Sequence, residues 1–325
     1  MAGPLDSFGR SINYLRISVT DRCNLRCIYC MPPEGVPQMP HSEILSYEEI
    51  RTVVQAAAEL GINKVRLTGG EPMVRADLPE LIKMLSRTEG IEELALTTNG
   101  TVLKKYALEL KQAGLSRVNV SLDTFKPDRF RYITRLGELK PVLEGIEAAK
   151  KAGFDPVKIN TVVMRGINDD EVLDLARMTY EEGWHVRFIE LMPFKGVAEF
   201  IPSTELRQRI SLLGKLESCA SVTGNGPAMY YRLVGARGTI GFISPLTEYS
   251  FCSRCNRMRL TPDGKLRPCL LEDDEIDLKT ALRNNASMDE LKCLILKAVA
   301  SKPERHRLGE GNVRVVKRRM SQIGG

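Results

Sequence analysis

Two rhythms of apolar residues alternate along the first two-thirds of the chain. Short apolar runs predict strands at Tyr14–Val19, Lys64–Leu67, Glu93–Thr97, Arg117–Ser121, Val157–Val163 and Val186–Ile189. Between them, apolar residues spaced by three and four mark helices, for example Tyr47–Leu60 (Ile50, Val53, Val54, Ala57), Leu78–Leu85 and Leu143–Ala152. Pro79 suits the first turn of its helix, and Gly61, Gly114 and Gly153 stand where helices should end. Strands that return at intervals of about 25–40 residues with helices between imply parallel pairing through right-handed crossovers. Six such units are two short of a closed barrel. The expected fold is therefore α/β, an incomplete (βα)6 TIM-like barrel, with a doubly wound sheet as the alternative.

After Met192-Pro193 the alternation stops. Residues 199–226 read as a linker, a helix over Ser203–Leu213 and a loop. Tyr230–Leu233 and Thr239–Ile243 suggest a hairpin across Gly235–Gly238, and a further helix lies near Met288–Ala300. The expected division is a barrel domain over 1–192 and a smaller C-terminal domain over 193–325.

Composition narrows the class. With 43% hydrophobic and 27% charged residues in 325, the chain resembles ordinary globular domains and not a disordered or low-complexity protein. No apolar run is long enough for a membrane helix, and Met1–Arg10 lacks the apolar core of a signal peptide. A cytoplasmic enzyme is the expectation. The charge of +6 is too mild to argue for nucleic acid.

The eight cysteines carry more information through their placement. Cys23, Cys27 and Cys30 form one tight trio and Cys252, Cys255 and Cys269 another, while Cys219 and Cys293 stand alone and read as buried thiols. Two trios in a large chain suggest two metal sites, not disulfides. The first trio follows the first strand at its C-terminal end, the rim where parallel α/β folds build active sites. Three thiolates suit an iron–sulfur cluster with one open iron, or a structural zinc whose fourth ligand lies elsewhere. In the second trio the zinc alternative is stronger, although His306, the nearest histidine, lies far along the chain. Arg257 and Arg259 alternate beside Cys255, so both fall on one face of an extended segment, an arrangement suited to a polyanion.

The Cys23-x3-Cys27-x2-Cys30 loop, with Tyr29 before the last cysteine, resembles the signature of the radical S-adenosylmethionine enzymes. The resemblance implies a [4Fe–4S] cluster on this trio whose open iron chelates S-adenosylmethionine and whose electron releases a 5′-deoxyadenosyl radical. It implies cofactor contacts from Tyr29, from Gly69, Gly70 and Glu71 closing the second strand, from Ser121 and from Met192.

The two trios together, Asn256–Arg259 and the terminal Gly324-Gly325 are similar to one subgroup, the GTP 3′,8-cyclases of molybdenum-cofactor biosynthesis. That resemblance implies a second [4Fe–4S] cluster on Cys252, Cys255 and Cys269 that binds the guanine ring. It also implies a C-terminal Gly324-Gly325 that reaches the active site. Arg16, Lys64, Arg66, Lys158 and Arg187 lie in strands where a buried parallel sheet should be apolar. With Thr97, Arg257, Met258 and Arg259 they are the candidate contacts to GTP. The subgroup further implies an external electron donor, a homodimer, and a product passed to the next enzyme, without stable nucleic-acid or membrane partners. A radical enzyme acting on a peptide, and a zinc-stabilised nucleotide- or RNA-binding protein, are the rival readings.

Overall fold

The structure is a computed structural model that describes residues 3–192, 199–220, 226–307 and 317–324. Six strands alternate with helices: β1 (Tyr14–Ser18), β2 (Lys64–Thr68), β3 (Glu93–Thr98), β4 (Arg117–Ser121), β5 (Lys158–Val163) and β6 (His185–Glu190). They pair in parallel and in chain order. A doubly wound sheet would reverse its order at a switch point, so the sequential order decides for the partial barrel. The helices begin where local chemistry favours them. Ser46 accepts from the Glu49 amide while the Glu49 carboxylate accepts from the Ser46 amide, a capping box that starts Tyr47–Glu59. The helix Leu139–Lys151 starts earlier than its apolar spacing suggests, because Pro141 falls within the first turn, where no amide is needed.

The chain beyond residue 193 joins the same sheet instead of building its own. β9 (Ile240–Ile243) pairs in parallel with β6, and β10 (Arg257–Leu260) pairs in parallel with β1. Among the described residues, eight adjacent strands thus run parallel, in the order β10-β1-β2-β3-β4-β5-β6-β9. Antiparallel strands continue each edge: β8 (Met229–Leu233) and β7 (Leu216–Cys219) beyond β9, and β11 (Lys265–Arg267) and β12 (Ile276–Asp277) beyond β10. The hairpin expected after residue 230 is present as β8 and β9, whereas β7 lies in a stretch read as loop. Cys293 is exposed on the helix Met288–Ala300 and Cys219 is half-buried, so neither is the buried thiol expected.

Side-chain parity divides the sheet into two faces. Leu15, Ile17, Val65, Leu67, Leu94, Leu96, Val118 and Val120 pack into the main core. The opposite positions, Arg16, Arg66, Thr97, Arg117, Asn119, Lys158, Asn160 and Arg187, line the barrel interior. Period-two alternation therefore gives this parallel sheet one apolar and one polar face.

Candidate active site

The barrel interior is a cavity of about 320 Å³, and all six clustered cysteines line it. The first trio sits on a loop after β1. Gly69 and Gly70 are required by this loop. A Cβ on Gly69 would lie 2.7 Å from the Thr20 carbonyl oxygen, and one on Gly70 would lie 2.3 Å from that of Arg22. The amides of Gly70 and Glu71 donate to those two carbonyls, each at 2.8 Å. Arg135 Nη1 donates to the carbonyls of Arg26 and Met31, each at 2.8 Å, and clasps the loop from outside. Burial pushes the Cys23 thiol up to about 11 and the Cys30 thiol to about 12, and raises Cys27 well above its ordinary value. Deprotonation here requires an incoming metal. Tyr29 donates to Asp123 Oδ2 at 2.8 Å from the cavity wall.

The second trio has a different electrostatic setting. Burial raises Cys255, but the nearby Arg257 and Lys302 outweigh it, and the thiol falls to about 6. Arg257 Nη2 lies 3.3 Å from Cys255 Sγ. Burial raises Cys269 against the pull of Lys302.

Between the trios runs a belt of cations. In the strand register Arg16 stands opposite Arg259 on one side and Arg66 on the other. Like charges directly across a ladder repel, and all three side chains face the cavity. Burial and then Arg259 push Arg16 well down, and burial and then Arg257 bring Arg259 to about 9. Lys158 is lowered to about 6 by burial, then by Arg187, Arg117 and Arg66. Arg187 Nε and Nη2, Arg257 Nε, Asn119 Oδ1 and Asn160 Oδ1 are buried without hydrogen-bond partners. An anionic, hydrogen-bonding ligand would relieve both the repulsion and these orphaned groups.

The C-terminal tail enters from the side of β10. The Ser321 backbone hydrogen-bonds Cys30, Ile323 packs on Leu271 beside Cys269, and the Gly324 carbonyl accepts from Arg259 Nη1 at 2.5 Å. Gly324 has φ +83°, and a Cβ there would lie 2.4 Å from Thr68 Oγ1. Gly325 lies outside the described residues.

Most of the expected contacts converge on this cavity: Arg16, Tyr29, Arg66, Gly69, Gly70, Thr97, Ser121, Lys158, Arg187, Met192, Arg257 and Arg259 all line it. Three do not. Met258 is fully buried in the main core, because period-two alternation turns it away from Arg257 and Arg259. Lys64 shares the parity of Arg66 but is not itself part of the lining, although Tyr14 and Glu93, its partners in register on either side, are. Glu71 is buried behind the wall, where it accepts from Thr98 Oγ1 at 2.8 Å and the Asn99 amide at 2.7 Å. Arg117, Asn119, Asn160 and Lys302 line the cavity unforeseen. Extending the parity of Ser121 and Lys158 along their own strands would have found the first three.

The donor set fits iron–sulfur clusters. Three unpaired thiols in each trio face one space, among the described residues no three His, Cys, Asp or Glu side chains close on a single ion position, and His306 gives Nε2 to the Pro245 carbonyl at 2.7 Å. Residues 17–179 match the radical SAM superfamily and residues 184–308 match Molybdenum Cofactor Synthesis C. The chain belongs to the radical SAM superfamily.

Within it, the chain is a member of the GTP 3′,8-cyclase family. It is 53% identical to the GTP 3′,8-cyclase of Moorella thermoacetica, with 98% of this chain and 99% of that one aligned. It is 54% identical to that of Pelotomaculum thermopropionicum, over 98% and 99%. Among solved structures, Streptococcus suis SuiB bound to S-adenosylmethionine aligns with a TM-score of 0.59 at 16% identity, covering 95% of this chain and 77% of that one. That likeness concerns the fold alone. No helix among the described residues is long and apolar enough to cross a membrane.

Proposed function

We propose that the protein converts GTP to (8S)-3′,8-cyclo-7,8-dihydroguanosine 5′-triphosphate, the first step of molybdenum-cofactor biosynthesis. Its cofactors are S-adenosylmethionine and two [4Fe–4S] clusters. The observation that carries this reading is the single cavity with a cysteine trio at each end and a cationic belt between them.

When bound, the first cluster and S-adenosylmethionine would supply the one-electron chemistry that removes a hydrogen atom from the ribose of GTP. Cys23, Cys27 and Cys30 would hold that cluster. Tyr29, Gly69, Gly70, Ser121 and Met192 shape the space beside it, and Glu71 acts from behind by fixing Asn99, whose Nδ2 approaches Cys23 Sγ at 3.9 Å. Ring closure joins C3′ to C8 of the same nucleotide, so the task of the chain is to hold both ends of one molecule near contact distance. Cys252, Cys255 and Cys269 would hold the second cluster, which when bound would supply an open iron at the guanine end of the cavity. Arg16, Arg66, Thr97, Lys158, Arg187, Arg257 and Arg259 hold the ribose and triphosphate, with Arg117 added to the expected set and Met258 removed; Lys64 stays at the level of Tyr14 and Glu93 at the edge of the cavity. The Gly324 segment closes the cavity over β1 and β2, where a side chain would collide with Thr68.

An external one-electron donor, a homodimer, transfer of product to the next enzyme and a cytoplasmic location complete the reading by analogy with the family. Iron and sulfide analysis of anaerobically reconstituted protein is expected to give about eight irons per chain, two four-iron clusters. Reduction with S-adenosylmethionine is expected to yield 5′-deoxyadenosine only when GTP is present. Cleavage indifferent to GTP would move the substrate to another class, as in a peptide-modifying enzyme.

A further inference from the structure

Two buried cations brace the second trio without a part in the reaction described so far. Lys302, which is 3% exposed, follows the helix Met288–Ala300. Its Nζ donates to the Arg257 carbonyl at 2.9 Å and to the Pro268 carbonyl at 2.6 Å. Arg257 lies two residues past Cys255, and Pro268 directly precedes Cys269. Arg10, itself 9% exposed, gives Nη1 to the Cys252 carbonyl at 2.8 Å and to the Glu304 carbonyl at 2.9 Å, and Nη2 to the Pro303 carbonyl at 2.6 Å. The Cys252–Arg257 segment and the Pro268–Cys269 segment are thus tied through two side chains to residues 302–304.

The two cations differ in their counter-charges. Asp6 pairs with Arg10 Nε at 2.6 Å. Among the described residues no carboxylate pairs with Lys302. A buried ammonium satisfied only by carbonyls is costly unless negative charge lies close; Cys255 and Cys269 both feel Lys302, and as ligands of a cluster they would supply that charge. A nearby fixed cation favours the more negative, reduced state of a cluster, because charge and hydrogen bonding tune its potential.

We propose that Arg10 and Lys302 are positioning residues of the second iron–sulfur site with divided roles. Arg10, neutralised by Asp6, fixes the backbone geometry of the trio; Lys302 does the same and also raises the reduction potential of the cluster. The inference rests on the reading that Cys252, Cys255 and Cys269 hold a cluster.

The test is a potentiometric titration followed by electron paramagnetic resonance. It uses the full-length, anaerobically reconstituted chain with Cys23, Cys27 and Cys30 replaced by Ala, so that the second site alone is read. About four irons in that parent establish the underlying reading; none would remove that reading before the two cations are tested. Lys302→Met is expected to keep its iron and shift the one-electron equilibrium about tenfold toward the oxidised form, a fall of about 59 mV. Lys302→Arg is expected to stay within about twofold of the parent. If the Met variant cannot hold iron, Lys302→Gln, which keeps a donor for a carbonyl without the charge, carries the same expectation. Arg10→Gln is expected to keep its potential but lose iron to a chelator about tenfold faster, the usual scale for residues behind metal ligands. A full-iron variant lacking the Lys302 charge but with the parent's potential overturns the charge role. Chelator resistance equal to the parent's in Arg10→Gln overturns the clamp.

Discussion

The two cysteine trios share one cavity and one ligand type, yet their surroundings oppose each other. The first is a loop whose thiols are driven up by burial, to about 11 at Cys23 and about 12 at Cys30. Its clasp, Arg135, grips carbonyls outside the cavity. The second spans separate segments, and Arg257 and Lys302 pull Cys255 down to about 6 against its burial. Burial raises all three thiols of the first trio, whereas in the second Cys255 is pulled down by its neighbouring cations while Cys269 is still raised by burial. The contrast suits a first site that works beside S-adenosylmethionine and a second that receives the electron-rich end of an anionic nucleotide. Identical ligands acquire different tasks from the charges placed around them.

The contrast breaks most decisively at Cys252. Cys252→Ser is expected to lower iron from about eight to about four per chain and to abolish cyclised product. Retention of GTP cyclisation in that variant would reduce the second trio to a structural role. In the metal-free chain, Cys255 is expected to alkylate at pH 7 on the order of a hundredfold faster than Cys23 or Cys30. The difference in thiolate fraction is larger, but nucleophilicity falls with pKa and returns part of it. Peptide mapping by mass spectrometry after a brief iodoacetamide pulse reads this directly, and equal labelling would erase the distinction.

The cationic belt gives a pH signature. Lys158 is largely neutral above pH 6 in the free site, and a bound triphosphate raises its pKa by restoring a counter-charge. Binding then takes up a proton, so affinity for GTP is expected to fall as pH rises above 6, by at most about tenfold per unit. Lys158→Gln should flatten the profile of the GTP KM between pH 7 and 8.5. An unchanged slope would place the triphosphate away from Lys158. At the first site, Tyr29→Phe removes the hydrogen bond to buried Asp123 and is expected to cost about three- to tenfold in kcat/KM, the scale of one such bond. The smallest effect belongs to Met258→Leu. A near-isosteric core exchange should cost less than about 1.5 kcal/mol of stability and leave the GTP KM unchanged. A raised KM would return Met258 to the binding site.

Much of this organisation was legible in the chain. The six βα units were readable because alternating apolar periods are local, and β4 falls on its expected residues, Arg117–Ser121. Both trios were readable because spacing alone separates metal ligands from scattered thiols. Arg257 and Arg259 were readable from parity, and applying that parity consistently would have excluded Met258 and found Arg117, Asn119 and Asn160.

Other features depended on long-range pairing. That β9 and β10 extend the barrel at opposite edges is a choice of partner, which no local pattern encodes. That Gly69 and Gly70 make room for the carbonyls of Thr20 and Arg22 follows from two segments meeting at the strand ends. That Arg10 and Lys302 converge on the second trio required the N-terminal segment and the region after the last long helix to fold against β10. The sequence determined which residues are able to hold a cluster or an anion, because residue type and spacing are properties of the chain. The tertiary structure decided which of them face one another, because burial, repulsion and hydrogen-bond satisfaction exist only between segments brought together.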